Sequence, residues 1–307
     1  MRISKFDNIK CLGIFLIVLG HMLEAVSCGK IGDCLHIIIY SFHIPLFIFV
    51  MGYFARYKRY AALKVFILYL VIQTVYLAAF NVKHLVTGEY FRTDYTTPFW
   101  LAWFLMVMLI YKLITPLVSR ATLQQKYLVL VCAVALALFS SCIPHLGYRF
   151  SLARAVTFLP YFIFGMIWKE ADLHPGNKHF WLILACASGV FMSVQKYIIP
   201  DVLYGVTGTP LQRAINYITA CIWIMFLMSW TPDRELSPTI SRVGRNTLPV
   251  FLFHGLVIKV LFTFWEPSYG LLNILMCFGV SVLLCIALAH DKLTKLLMFN
   301  IKHKRLG

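Results

Sequence analysis

Residues Phe6–His21 read FDNIKCLGIFLIVLGH: two charges, Asp7 and Lys10, then an apolar run that ends on an imidazole. A helix crossing a hydrocarbon core of about 30 Å needs about 20 apolar residues, and residues 9–27 meet that length. No small-x-small cleavage pattern follows the charged start, so the segment is expected to stay as a span rather than leave as a secretory leader. An ionisable side chain inside such a span is costly and by default marks a functional site. The first span and its histidine therefore set two questions: how many more spans there are, and what His21 does.

Of the 307 residues, 61% are hydrophobic and 13% charged, against roughly 45–50% and about 25% in soluble domains. Too little polar surface exists to coat a globule in water. Apolar segments of spanning length lie near 9–27, 31–55, 61–80, 98–118, 126–143, 152–168, 179–199, 213–230, 247–266 and 271–290. The fold class expected is all-α, a polytopic integral membrane protein of about ten transmembrane helices. Short connections leave no room for a soluble domain, so residues 1–307 read as one membrane domain, with 291–307 as a basic tail resting on anionic lipid.

The net charge of +16 does not point to nucleic acid. The basic residues sit in short segments between apolar runs, the pattern of positive-inside loops rather than of a basic binding face. With a cytoplasmic N-terminus, 19 of the 28 Lys and Arg fall on the cytoplasmic side and seven on the other, Lys112 and Lys259 lying within spans. This asymmetry places both termini in the cytoplasm and the chain in the cell membrane as a multi-pass protein.

The nine cysteines include no C-x-x-C pair, and no metal site is expected. Cys28 and Cys34 share a short polar loop and Cys142 falls on the same side; a bridge is open there on an oxidising face, without the spacing assigning one.

Helical rise sets depth. His21 is expected about 18 Å from the cytoplasmic start of span one, and His43 about 18 Å from the opposite start of span two, both near mid-membrane. His254 falls about 10 Å into span nine, with Lys259 deeper. A neutral imidazole bonded to a carbonyl is the bland reading for His43 and His254. For His21 the residue three positions on is Glu24, on the same helix face, where it would hold one ring nitrogen and leave the other as a base. Imidazole accepts and returns protons near neutral pH, which suits acyl transfer to a hydroxyl and also a proton relay in a transporter. Spacing alone does not separate the two.

Four further stretches follow in order: IYSFHIPLFIFVMGYFARY (39–57), FWLAWFLMVMLIYKL (99–113), RAVTFLPYFIFGMIWK (154–169) and VGRNTLPVFLFHGLVIK (243–259). With FDNIKCLGIFLIVLGH they resemble the integral-membrane acyltransferase family 3, in particular its O-acetyltransferases of surface polysaccharides and glycan precursors. The resemblance implies a membrane O-acyltransferase that moves an acyl group from cytoplasmic acyl-coenzyme A, acetyl-CoA foremost, to a hydroxyl of an extracytoplasmic or lipid-linked saccharide. No bound cofactor is implied; acetyl-CoA is a co-substrate, and the partners are the donor, a saccharide acceptor and the lipid bilayer. The family carries a basic residue, usually arginine, ten intervening residues and a histidine in its first span; Lys10 and His21 hold that spacing here. The resemblance makes His21 the catalytic base and places Lys10 near the donor; Glu24 as its partner rests on the helix spacing alone. Lysine keeps the charge but loses the bidentate fork that suits phosphate.

Asp7, three residues before Lys10, either caps the helix or pairs with it. Arg56, Lys58, Arg59 and Arg245 lie on the cytoplasmic side, where a polyanionic coenzyme A would dock; snorkelling explains the same charges. His43 precedes Pro45, which favours a kink, and His254 closes the last motif. The acceptor is expected at the opposite face, near Arg92, Arg149, Arg154 or Arg213, and Trp103 reads as a packed or interfacial aromatic. The rival reading is a proton-coupled secondary transporter of a sugar or lipid-linked saccharide, with His21, Glu24 and His43 as relay; the internal repeats common in transporters are not evident.

Overall fold

A computed structural model describes residues 3–26, 28–87, 94–143, 147, 149–198, 209–264 and 271–298. Among them the chain is all helical, with no strand. Its helices are α1 Ser4–Ala25, α2 Gly29–Tyr53, α3 Ala61–Thr87, α4 Trp103–Arg120, α5 Leu123–Phe139, α6 Leu152–Glu170, α7 Lys178–Ile198, α8 Pro210–Trp230, α9 Pro238–Arg245, α10 Thr247–Phe264, α11 Leu271–Leu288 and α12 Asp291–Leu297. Seven are long and apolar enough to cross a membrane, or eight if α9 and α10, bent by 80° at their junction, count as one broken span. Apolar helices Leu123–Phe139 and Lys178–Val194 are shorter. Large aliphatic side chains such as Leu117, Val131, Ile183, Leu271 and Leu283 face outward, which only a hydrocarbon solvent tolerates on this scale. The chain is a multi-pass membrane protein.

Local chemistry starts several helices. Thr122 and Gln125 form a reciprocal capping box on α5, and Thr209 and Gln212 another on α8, where Pro210 fills the first helical position. Ser237 accepts from the Ile240 N–H to open α9. α9 stops at Asn246, which donates to the Arg242 carbonyl and to Asp291 at 2.7 Å, so the break in the last motif is braced by α12. Residues 299–307 of the expected basic tail lie outside the described residues.

α1 is the hub and packs against α2, α9, α10 and α11. α2 lies closest to α6: Gly52 meets the Phe162 carbonyl and Gly165 meets the Phe49 carbonyl, each with no space for a Cβ. In hydrocarbon, small residues let backbones approach and supply packing that the hydrophobic effect does not. Side-chain bonds tie helix ends together. The ammonium of Lys126 at the start of α5 pairs with Glu170 at the end of α6. Arg213 at the start of α8 donates to the Ala137 carbonyl of α5 and to Thr157 of α6. The bundle thus has two ends: one carries the N-terminus, the other the α1–α2 and α3–α4 connections.

Candidate active site

The N-terminal end gathers the basic residues. The polar start of α1 is helical from Ser4, because Asn8 donates to the carbonyls of Pro232 and Arg234 and the Lys5 N–H donates to Asp233. The Asp7 carboxylate is therefore inside the helix rather than at its cap, and it pairs with Lys10 at 2.9 Å. Of the two readings for Asp7, the structure gives the ion pair. Phe6 packs tilted against Tyr53 and edge-on to Phe54, with ring centroids 4.2 and 4.9 Å away, which seats the turn carrying Arg56, Lys58 and Arg59 beside the start of α1. All three are exposed, as is Arg245 at the end of α9. The lysine and the four exposed cations share this end of the bundle.

His21 sits nearer the other end than helix spacing from residue 9 suggests. α1 runs to Ala25, so His21 precedes its end by four residues, about 6 Å of rise. The polar residues before the apolar run extend the helix at its N-terminal end and shift the imidazole from mid-span towards the far mouth. Glu24 does meet it: Oε2 lies 3.1 Å from His21 Nδ1. The Tyr40 hydroxyl of α2 donates to the same oxygen at 2.6 Å and lies 2.9 Å from Nδ1. A carboxylate only accepts, so Nδ1 carries the proton, shared between Oε2 and the phenol oxygen, and Nε2 keeps the lone pair. Three polar groups from two helices fix the tautomer and orientation a base requires.

His43 and His254 are fully buried in the next layer. Each Nδ1 bonds to the carbonyl four residues earlier on its own helix, Ile39 at 2.8 Å and Val250 at 2.9 Å. The carbonyl bond of the bland reading is present for both and is intrahelical, and it leaves Nε2 as the unprotonated nitrogen. The His254 ring lies 5.3 Å from that of His21, and the His43 ring 4.8 Å from that of Tyr40. α2 remains one helix through Pro45.

His21 lines two of three adjoining cavities. One of about 360 Å³ is lined by His21, Glu24, Tyr40, His43, Trp103 and Arg154, among others. A second, about 470 Å³, has Phe80, Asp94, Trp100 and Lys259 in its wall. A third, about 360 Å³, adjoins both through His21, Glu24, Trp100 and Lys259. Trp100, which lines all three, has a left-handed backbone with φ of 40°, a conformation that costs a non-glycine residue of order 1–3 kcal/mol and must be imposed by its surroundings. Gln73, buried on α3, imposes it: its side chain donates to the carbonyls of Asp94 and Thr97 and accepts from the Phe99 N–H at 2.8 Å. Gly255 on α10 provides the seat, since any Cβ there would strike the Trp100 ring.

Arg154 lies over the Trp103 ring, 4.7 Å from its centroid, on the cavity wall. Arg213 is instead a buried brace between α5, α6 and α8, Arg149 is exposed before α6, and Arg92 lies outside the described residues. No disulfide joins any of the nine cysteines, and the Cys28 thiol neighbours that of Cys277. Among the described residues no group of three His, Cys, Asp or Glu is placed to share a metal ion.

Tyr40 and Trp100 were not singled out by sequence reasoning. A signal for Tyr40 was present, because His36, Tyr40 and His43 fall at i, i+4 and i+7 on one face of α2. Nothing in the sequence announces the backbone of Trp100.

A family model described as an acyltransferase domain matches residues 3–290. No curated protein and no solved structure matches the chain.

Proposed function

This chain belongs to that acyltransferase family and is a membrane acyltransferase, and on that premise we propose that it moves an acetyl group from cytoplasmic acetyl-CoA to a hydroxyl of an extracytoplasmic or lipid-linked saccharide. The observation that carries this reading is the His21–Glu24–Tyr40 triangle beside a cavity. A neutral imidazole with Nδ1 occupied and Nε2 bare is the arrangement a general base needs.

In the proposed reaction the acceptor hydroxyl loses its proton to His21 Nε2 as its oxygen attacks the thioester carbonyl. The C–S bond breaks, and the imidazolium returns the proton to the departing thiolate. The products are an O-acyl ester and free coenzyme A. Glu24 stabilises the transient imidazolium, and Tyr40 holds Glu24 and the ring together.

The charge asymmetry orients the molecule with both termini in the cytoplasm and ten helices crossing, α1–α8, α10 and α11. Lys10, Arg56, Lys58, Arg59 and Arg245 then face the donor's phosphates, and the long arm of the donor covers the distance to His21, about 16 Å along α1. His21→Ala should lower acetyl transfer by roughly 10²–10⁴-fold, the usual share of a general base, in purified protein that still melts as wild type does. Normal turnover would sink the assignment.

A further inference from the structure

His254 is wholly buried on α10, and its ring lies 5.3 Å from that of His21. Its Nδ1–H is given to the Val250 carbonyl at 2.9 Å, so the lone pair of the ring sits on Nε2. No group among the described residues donates to that nitrogen. Buried polar atoms nearly always have a partner, and one that lacks it calls for a physical reason. Packing supplies none, because a phenylalanine would fill an apolar site without stranding an acceptor.

The reason lies in what His21 becomes during turnover. At rest both rings present a lone pair on Nε2, and neither donates to the other. Once His21 takes the acceptor's proton, its Nε2 is a charged N–H donor, and a hydrogen bond from a charged donor is among the strong ones. The two ring planes differ by 32°, and a centre-to-centre distance of 5.3 Å lets facing nitrogens reach hydrogen-bond distance. His254 lines none of the three cavities described above. It meets His21 rather than the acceptor.

We propose that His254 is a positioning residue for the base: its Nε2 accepts the Nε2–H of the His21 imidazolium, a bond that the resting enzyme does not make. The inference rests on the reading of His21 as the base. An interaction made only in the charged state stabilises the transition state without tightening substrate binding, which raises kcat and leaves KM alone. The proton itself never passes to His254. It moves from the acceptor hydroxyl to His21 Nε2 and from there to the departing thiolate, while the His254 Nδ1–H stays on the Val250 carbonyl. Glu24 and Tyr40 steady the imidazolium at Nδ1, and His254 steadies it at Nε2.

The test uses the full-length protein purified in detergent, with acetyl-CoA as donor and a saccharide extract of the producing cells as acceptor. Release of the coenzyme A thiol is the readout. His254→Phe, which keeps an aromatic ring but no acceptor, should lower kcat by roughly 10–100-fold, the share of a hydrogen bond to a charged group, with both KM values unchanged. His254→Gln, whose amide oxygen replaces Nε2 as acceptor, should recover most of that loss. In a His21→Ala background His254→Phe should cost nothing further, since no imidazolium forms there. If the phenylalanine variant fails to fold, His254→Gln against His254→Met decides the same point. The two are alike in size and only the amide is a strong acceptor, so the glutamine variant should be the faster. A folded His254→Phe that turns over as wild type does, a glutamine variant no better than phenylalanine or methionine, a loss seen in KM, or a loss that repeats in full without His21 would each overturn the inference. Normal turnover in His21→Ala would instead remove the base assignment itself.

Discussion

The His21 ring owes its usefulness to atoms two helices contribute. Its own helix places Glu24 by pitch, and the neighbouring helix supplies the Tyr40 hydroxyl 2.6 Å from the same carboxylate oxygen. Tyr40→Phe keeps the ring and its packing but removes one bond worth about 1 kcal/mol, so transfer should slow by roughly fivefold. Glu24→Gln keeps size and an acceptor but removes the charge that steadies the imidazolium, and should cost roughly a hundredfold. Both are read as single-turnover rates with the melting temperature unchanged; full activity in Glu24→Gln would show that the carboxylate is not needed. The pairing of His21 with Glu24 was legible in the sequence, because helix periodicity is local. The role of Tyr40 was not, since it depends on how two helices face each other.

At the scale of elements, the short segment from Asp94 to Ala102 decides the shape of the cavities. α3 controls it through Gln73, with the Tyr69 hydroxyl donating to the Tyr95 carbonyl at 2.6 Å as a second tie. Gln73→Ala leaves buried backbone groups unsatisfied, at about 1–3 kcal/mol for each such group. It should lower the melting temperature and release Trp100 from its left-handed backbone, with a raised KM for the acceptor and an unchanged KM for the donor. The same segment is insensitive to mild acid. Hydrogen bonds from Thr97 and Thr96 hold the Asp94 carboxyl down at about 2. A depressed carboxyl contributes fully above its unfolded value and loses that contribution only as pH falls through the folded one. A loss of transfer between neutral and mildly acidic pH should therefore persist unchanged in Asp94→Asn.

For the whole molecule, the ends of the bundle make a prediction about sidedness. Cys142 is an exposed thiol beyond α5, at the end that carries the cavities, while Cys28 is buried and Cys34 half-buried. With both termini in the cytoplasm, a membrane-impermeant maleimide added to intact cells should label the protein at Cys142, and Cys142→Ser should remove most of that label. Labelling only after permeabilisation would invert the orientation that the 19-to-7 charge asymmetry gives.

Composition and the length of the apolar runs determined that this is an all-helical membrane protein, and helix pitch determined that Lys10, His21 and Glu24 share one helix at fixed intervals. Both follow from local quantities, hydropathy and rise per residue. Tertiary structure alone decided that Asp7 pairs rather than caps, that Arg213 braces the bundle while Arg154 faces a cavity, and that Trp100 and Lys259 stand beside His21. These depend on which helices cross closely, as at Gly52 and Gly165, and on a strained turn held by Gln73 from another helix. Such contacts join residues far apart in the chain, and no periodicity along the sequence encodes them.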